Sequence, residues 1–424
     1  MSESPFFLRI CPVFSLYPLF HSFYYYYVIY ILVLQGMNAP PRATKGLLSM
    51  HFRVQTDEMN YGLNMVIRAV AARPAMATFD GVLVETVDDG LILTCTDGEM
   101  SIKAQLSAIV EEDGCALLPA KLFSEMMRKQ PVGEVEIKVN DRLRAQILSR
   151  GSSTSMACMP AEDYPEIHDV AGDHHVTIPC NRFRDAVSKV SFAVSTDESR
   201  KILTGVLMEV YEKETLLVGL DGFRLALQRI DTENELPAGL AGDHLHAVAP
   251  GKILSEVSKM LPDSTDECRI TFNSSHIMYS FGSVKVYGTL LTGEFIDYKK
   301  ILPQSWTTEV MVMRDLLAEA IDRCSLMARE GKNNLIYLHL LPEGRMEMTA
   351  NGDRGDVYEE MEIGIEGSEL SIAFNSRYMT DIIHNIDGER LCMCFNTNVS
   401  PCMIRPVEGN AFTFLVLPVR VLNR

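Results

Sequence analysis

Three stretches of this chain are built alike: "LILTCTDGEMSI" at 91–102, "LLVGLDGFRLAL" at 216–227 and "MEMTANGDRGDV" at 346–357. Each is a strand-like run, a break at Asp-Gly or Asn-Gly, and a second run. Those dipeptides supply the positive φ angles of a tight hairpin, so each stretch predicts two antiparallel strands. Their glycines, Gly98, Gly222 and Gly352, stand 124 and 130 residues apart. Recurrence at that length reports duplicated domains, because solenoid units are shorter.

Two further elements recur in the same order. "ALLPAKLFSEMMRKQ" from Ala116, "AVAPGKILSEVSKML" from Ala247 and "IAFNSRYMTDIIHNI" from Ile372 each read as a short strand running into a helix, with Pro or Asn near the cap. "MNYGLNMVIRAVAAR", "CNRFRDAVSKVSFAV" and "MRDLLAEAIDRCSLMAR" carry the spacing of a longer amphipathic helix. The expected fold class is α+β: three tandem repeats, each with two helices among roughly eight short strands. Gly, Pro and polar residues cluster near 170–176 and 302–308, dividing the chain into 50–172, 173–303 and 304–424.

Residues 1–49 differ from the rest. The segment 10–34 contains no Asp, Glu, Lys or Arg and is long enough to span a bilayer. Pro12 and Pro18 interrupt it, and Arg9 alone makes a poor basic flank. Met50 opens an alternating strand followed by a helix, so the working protein is expected to begin there. A membrane-anchored scaffold using the leader is the competing reading.

The chain of 424 residues has a net charge of −17. The six expected helical segments sum to +3, which leaves −20 on the remainder. Helices lining one surface would therefore favour phosphate while the exterior repels it. No phosphate-binding glycine loop, dinucleotide fingerprint or nucleophile elbow occurs, and no acid–base pair assembles, so catalysis is not expected. The ten cysteines include no CxxC pair and read as reduced thiols of a cytoplasmic protein. Cys392 and Cys394 would share one strand face, but no second pair completes a four-ligand zinc site, so neither metal nor cofactor is expected.

The three-domain order, with "ARP" at 72–74, "DGFRLA" at 221–226, "FIDYKKILP" at 295–303 and the terminal "LVLPVRV", resembles the bacterial DNA sliding clamps, the β subunits of DNA polymerase III, over residues 50 to about 421. The resemblance implies a head-to-tail homodimer: a ring of six domains, helices facing a central hole and sheets outside. It implies binding of double-stranded DNA without sequence preference. By matching position, Arg73, Arg200 and Lys201 would contact it. Lys121, Arg128, Lys129, Arg182, Arg184, Lys189, Lys252 and Lys259 are candidates by helix placement.

It also implies a hydrophobic cleft between the second and third domains. The cleft would take short motifs from the DNA polymerase III catalytic subunit, the clamp loader and other clamp-binding proteins. Matching positions are Leu203, Leu220, Gly222, Phe223, Arg224, Leu225, Ile296, Lys300, Ile301, Asn375, Tyr378, Val399, Pro401, Leu415, Val416, Leu417, Pro418, Val419 and Arg420. Phe223, Leu220 and Ile296 stand where better-known members have histidine, threonine and proline, which makes this cleft greasier. At the protomer contact, Thr154 and Met156 would meet Leu326 and Met327 of the other chain, with Asp353, Asp356, Glu359 and Glu360 adding charge. Such a protein would be cytoplasmic and nucleoid-associated when loaded, with no membrane role.

Overall fold

The computed structural model describes residues 49–171, 174–236, 244–331 and 334–420. The apolar leader and residues 422–424 lie outside the described residues. The first repeat contains β1 (Met50–Gln55), α1 (Thr56–Val66), β2 (Gly81–Val87), β3 (Gly90–Thr96), β4 (Met100–Ser107), β5 (Ile109–Glu112), β6 (Cys115–Pro119), α2 (Ala120–Arg128), β7 (Glu134–Asn140), β8 (Arg144–Ser149) and β9 (Ser152–Ala157). The second contains β10 (His174–Pro179), α3 (Cys180–Ser191), β11 (Gly205–Val210), β12 (Glu214–Leu220), β13 (Arg224–Asp231), β14 (Leu245–Pro250), α4 (Gly251–Met260), β15 (Glu267–Phe272), β16 (His276–Phe281) and β17 (Val284–Thr289). The third contains β18 (Thr308–Met313), α5 (Arg314–Glu330), β19 (Leu335–Leu341), β20 (Arg345–Gly352), β21 (Gly355–Glu362), β22 (Gly364–Glu366), β23 (Leu370–Asn375), α6 (Ser376–Ile383), β24 (Arg390–Phe395), β25 (Cys402–Pro406) and β26 (Phe412–Val416). The two-helix repeat recurs as expected, and the short strands β5 and β22 are the additions to eight.

Each repeat divides its strands between two antiparallel sheets. In one half the orders are β1-β7-β8-β9, β10-β15-β16-β17 and β18-β24-β25-β26. In the other they are β4-β3-β2-β6, β13-β12-β11-β14 and β21-β20-β19-β23. Halves of successive repeats fuse edge to edge. β17 pairs with β4, from Val284 opposite Ala104 to Gly288 opposite Met100. β26 pairs with β13, from Arg224 opposite Val416 to Gln228 opposite Phe412. Sheets of eight and nine strands thus cross the repeat boundaries, and β9 and β21 are left as end strands of the five- and four-stranded sheets.

The helices pack on one face of these sheets and close a continuous apolar core. Phe52, Phe123, Phe183, Phe374 and Phe414 are fully buried in it. Pro119, Pro179 and Pro250 stand immediately before α2, α3 and α4 with extended ψ. A fixed φ and no N–H to leave orphaned suit proline to that place. Asn375 does the same work differently at α6, its side chain accepting from the Arg377 amide at 3.0 Å. Among the described residues no helix is long and apolar enough to cross a membrane.

The first two Asp-Gly hairpins share one construction. Asp97 Oδ1 accepts from the Glu99 and Met100 amides at 3.0 and 2.8 Å, and Asp221 Oδ1 from those of Phe223 and Arg224 at 2.8 and 3.0 Å. Gly98 and Gly222 take φ of 92° and 95°. The third hairpin departs from the expectation. Gly352 is the last residue of β20, paired with Gly355, and the turn moves on to Asp353-Arg354. Within the boundary expected near 170–176, β10 already begins at His174, and His175 pairs with Thr271. Gly222→Ala is expected to lose about 1 kcal/mol in denaturant unfolding, because a side chain at that φ meets its own carbonyl.

Candidate functional site

On the face of the nine-stranded sheet opposite the helices lies a second apolar cluster, separate from the main core. Leu203, Leu207, Val218, Leu220, Leu225, Leu227, Val248, Tyr298 and Leu415 form it, and Ile202, Leu291, Phe295, Leu302 and Leu417 pack around it. Strands β11 and β12 are therefore buried on both faces. The joint between β13 and β26 sets Leu225 directly opposite Leu415, so repeats 2 and 3 both build the floor. Phe223, Ile296, Ile301 and Val399, all in loops, stand exposed as large apolar side chains. Their exposure beside a buried apolar floor describes a cleft able to accept a hydrophobic segment.

The segment after β17 crosses this face and is pinned there. Tyr298 is buried, and its hydroxyl donates to Glu209 Oε2 at 2.5 Å. Lys299 Nζ approaches the same carboxylate at 3.2 Å. Burial, and then the Glu209 carboxylate, push the Tyr298 phenol above its ordinary pKa, so it stays a donor. Tyr298, Leu207, Leu227, Val248 and Leu302 were not expected from the sequence. The signal available was the unbroken apolar run of β12, which marks a strand buried on both faces.

Other expected positions are placed differently. Arg224 is not offered to a ligand: its buried side chain pairs with Asp221 at 3.1 Å and with Asp381 of α6. Its guanidinium lies 4.7 Å from the Tyr378 ring centre and 5.4 Å from that of Phe192. It latches the middle hairpin to the third repeat. Phe223 stacks on Tyr378 with ring centres 5.9 Å apart. Val416 faces the opposite way, buried in the main core. Asn375 is the α6 cap, Pro401 is half-buried, and Lys300 is exposed beside Asp297 at 2.8 Å. Leu417 and Val419 donate backbone bonds to Phe223 and Ala373, which lays the segment through Pro418 to exposed Arg420 along both repeats. Gly222 carries the Arg200 guanidinium, whose Nη2 donates to the Asp221 carbonyl at 3.0 Å.

The cations of the helical segments divide into two groups. Arg73, Arg128, Lys129 and Lys201 are exposed. Lys121 and Arg182 only loosely approach Asp80 and Asp231, each at 3.9 Å. Lys189 and Lys252 instead tie repeats together: Lys189 pairs with Asp185 at 2.6 Å and with Asp387 of the third repeat, and Lys252 with Asp97 of the first at 2.9 Å. Arg184 holds Asp263 at 2.7 Å, and Lys259 shares Glu256 with Arg68 at 2.7 and 3.2 Å. Burial works against the Lys189 charge, but Asp185 and Asp387 outweigh it and keep its pKa above the ordinary value. At Asp97 burial raises the carboxyl, yet the Met100 amide, Lys252 and the Glu99 amide outweigh it and hold it below the usual range.

At the two open edges, Thr154 is half-buried and Met156 is buried against its own domain. Leu326 is 59% exposed on α5, next to Met327, which packs partly on the core. Glu359 and Glu360 already pair with Arg323 and Arg345. Asp353 sits in the third hairpin turn, and Asp356 opens β21, paired with Asn351. A separate crevice of about 670 Å³ between repeats 1 and 2 is lined by Glu99, Lys201 and Lys252 together with apolar residues such as Met100, Ile253 and Leu290. Among the described residues, two groups of side chains could gather a cation, His51–Glu111–Glu136 and Glu309–Cys392–Cys394, and neither belongs to the cleft floor.

Edge-fused triple repeats with a two-repeat apolar cleft and a cation-bearing helical layer are the architecture of a clamp-type protein. Family models describing the N-terminal, central and C-terminal domains of the DNA polymerase III beta subunit match residues 50–168, 177–297 and 299–420. The beta sliding clamp of Bacillus subtilis is 31% identical over 381 residues, covering 88% of this chain and all of that one. Its Staphylococcus epidermidis counterpart is 29% identical over 380 residues, covering 88% and 99%. The solved DNA polymerase sliding clamp of B. subtilis superposes with a TM-score of 0.83 at 31% identity, covering 88% of this chain and 100% of that one. The DNA polymerase III beta subunit of Thermotoga maritima gives 0.80 at 26%, with the same coverage. The chain belongs to the DNA polymerase III beta subunit family, the beta sliding clamps. It is a non-catalytic processivity subunit.

Removing the latch by Arg224→Ala leaves Asp381 without its partner and is expected to cost about 3 kcal/mol, read as an earlier calorimetric transition. The Asp97 interaction stabilises fully above the unfolded carboxylate pKa of about 4 and is lost as pH falls through the lower folded value. Asp97→Asn should therefore flatten the acid limb of melting temperature against pH.

Proposed function

We propose that two copies close head to tail into a six-repeat ring around duplex DNA, dividing near 50–172, 173–303 and 304–424, and tether partner proteins through the cleft of repeats 2 and 3. One observation carries the closure. β9 is the counterpart of β17 and β26, and β21 is the counterpart of β4 and β13. Where two repeats follow one another in the chain, the end strand of the later repeat pairs with the counterpart edge of the earlier one: β17 with β4 and β26 with β13. Among the described residues, β9 and β21 are the counterparts left unpaired within one chain, and a second copy would supply each with its mate. Fused, their sheets of five and four strands would make nine, like the sheet already joining repeats 2 and 3. Leu326 is exposed beneath that edge, and the inner face of β9 brings Thr154 and Met156 toward it.

Arg73, Lys201, Arg128, Lys129, Lys121, Arg182 and Arg200 would supply the DNA contacts, whereas Lys189 and Lys252 act mainly as struts. A lining with few free cations holds phosphates weakly and reads no bases, which permits sliding. The cleft would take short apolar motifs of the polymerase catalytic subunit and the clamp loader, with Phe223 and Ile296 favouring bulky side chains. Such work belongs in the cytoplasm, on the nucleoid.

Loading onto nicked circular DNA by a clamp loader is the test. Protein retained on circles and released after linearisation is the expected outcome, and equal release from both would refute encirclement. Leu326→Asp should shift the dimer to monomer in sedimentation.

A further inference from the structure

On the same sheet face as the cleft, two strands beyond Leu415, the third repeat carries a second small cluster. Cys392, Cys394 and Met403 form an island separate from both the core and the cleft. The counterparts of Cys392 and Cys394 follow from the register. Met311 faces Cys392 and Glu309 faces Cys394, as Arg53 faces Glu136 and His51 faces Lys138 in the first repeat, and Thr177 faces Arg269 and His175 faces Thr271 in the second. Those siblings are polar or charged. The fold therefore does not require thiols at these positions, and burying two small hydrophobes is not what the repeat needs there.

The geometry points to a zinc site made by Cys392, Cys394 and Glu309. The two Sγ atoms stand 3.8 Å apart, and Cys392 Sγ donates to Glu309 Oε1 at 3.0 Å. Two thiolates at about 2.3 Å from one zinc ion, at the tetrahedral angle, are also about 3.8 Å apart. The carboxylate must open by about half an ångström to reach its own place at about 2.0 Å. A disulfide is the poorer outcome, because Cα atoms two residues apart on a strand stand about 6.6–6.8 Å apart, the far limit for that bond.

The surroundings suit such an ion. Glu309 Oε1 accepts from Arg405 Nη2 at 2.8 Å and Oε2 from Trp306 Nε1 at 2.5 Å, so the carboxylate is held by hydrogen bonds as ligands in metal sites usually are, and the same guanidinium lies against Cys394. Two thiolates and a carboxylate against Arg405 leave a double negative charge that one zinc ion cancels. The thiols are buried, while Glu309 remains about a quarter exposed and gives the ion its way in. Soft sulfur donors select zinc over magnesium or calcium. Bound there, zinc would brace β18, the first strand after the crossing segment, to β24. This extends the four-ligand requirement that set the CxC pair aside: the third ligand comes from the neighbouring strand.

Zinc titration of the full chain against a chromogenic chelator tests this, with cobalt as a spectroscopic stand-in. Wild-type protein should hold zinc that Cys392→Ser/Cys394→Ser loses, and cobalt should show thiolate charge-transfer bands only in the former. Glu309→Gln should weaken binding by about 10- to 100-fold. Zinc should also raise the melting temperature of the wild type alone. Mass-spectrometric mapping of alkylation needs no substitution: zinc should protect Cys392 and Cys394. Equal zinc binding by wild type and the double variant, which would assign it to His51, Glu111 and Glu136, would overturn the proposal. So would cobalt spectra without sulfur bands, or unprotected thiols.

Discussion

The edge strand is the constraint from which the rest of the molecule follows. A strand at the end of a sheet carries a row of amides and carbonyls that must find partners in water or in another strand. Here two of each repeat's sheet edges are complementary from repeat to repeat: β17 joins β4, and β26 joins β13. The cleft is a by-product of the second joint. Fusing β13 to β26 brings apolar residues of two repeats side by side on a face that helices do not cover, and the segment holding Tyr298 shields only part of it.

Each joint is also crossed by charge. Lys252 reaches back to the Asp97 hairpin across the first joint, and Arg224 reaches forward to Asp381 across the second. The same class of hairpin thus serves twice as an anchor for the neighbouring repeat's helix layer. That use removes cations from the surface the helices present. Composition alone suggested a basic helical layer, but what remains free is sparser, because lysines at repeat boundaries are held by carboxylates at less than 3 Å. Under the proposed function, weak contact with a polyanion would follow from how the repeats are locked together.

Much of this was readable beforehand, and the exceptions have physical causes. Turn chemistry and helical spacing exposed the repeat because they are local. Asp97 and Asp221 do in space what Asp-Gly implies in sequence, whereas Asn351-Gly352 does not, since strand pairing carries β20 two residues further. Residues such as Leu220, Leu225 and Leu415 were assigned to the cleft and do meet in one cluster. Tyr298 and Val248 were missed because their relevance depends on which segment crosses which face, a tertiary fact. Arg224 looked like a ligand-facing group, and only the position of Asp381, over 150 residues away, turns it inward. Cys392 and Cys394 were seen to share a face, but Glu309 becomes their neighbour only through the register of β18 against β24.

The joints have a handedness of use: the same edge of every repeat gives and the opposite edge receives. A ring assembled that way has no two-fold axis lying in its plane, so its two faces are chemically different. Both clefts then open toward the same end of the threaded duplex. Such an object is an arrow as well as a tether. Put on backwards, it would hold DNA equally well and aim every partner the wrong way.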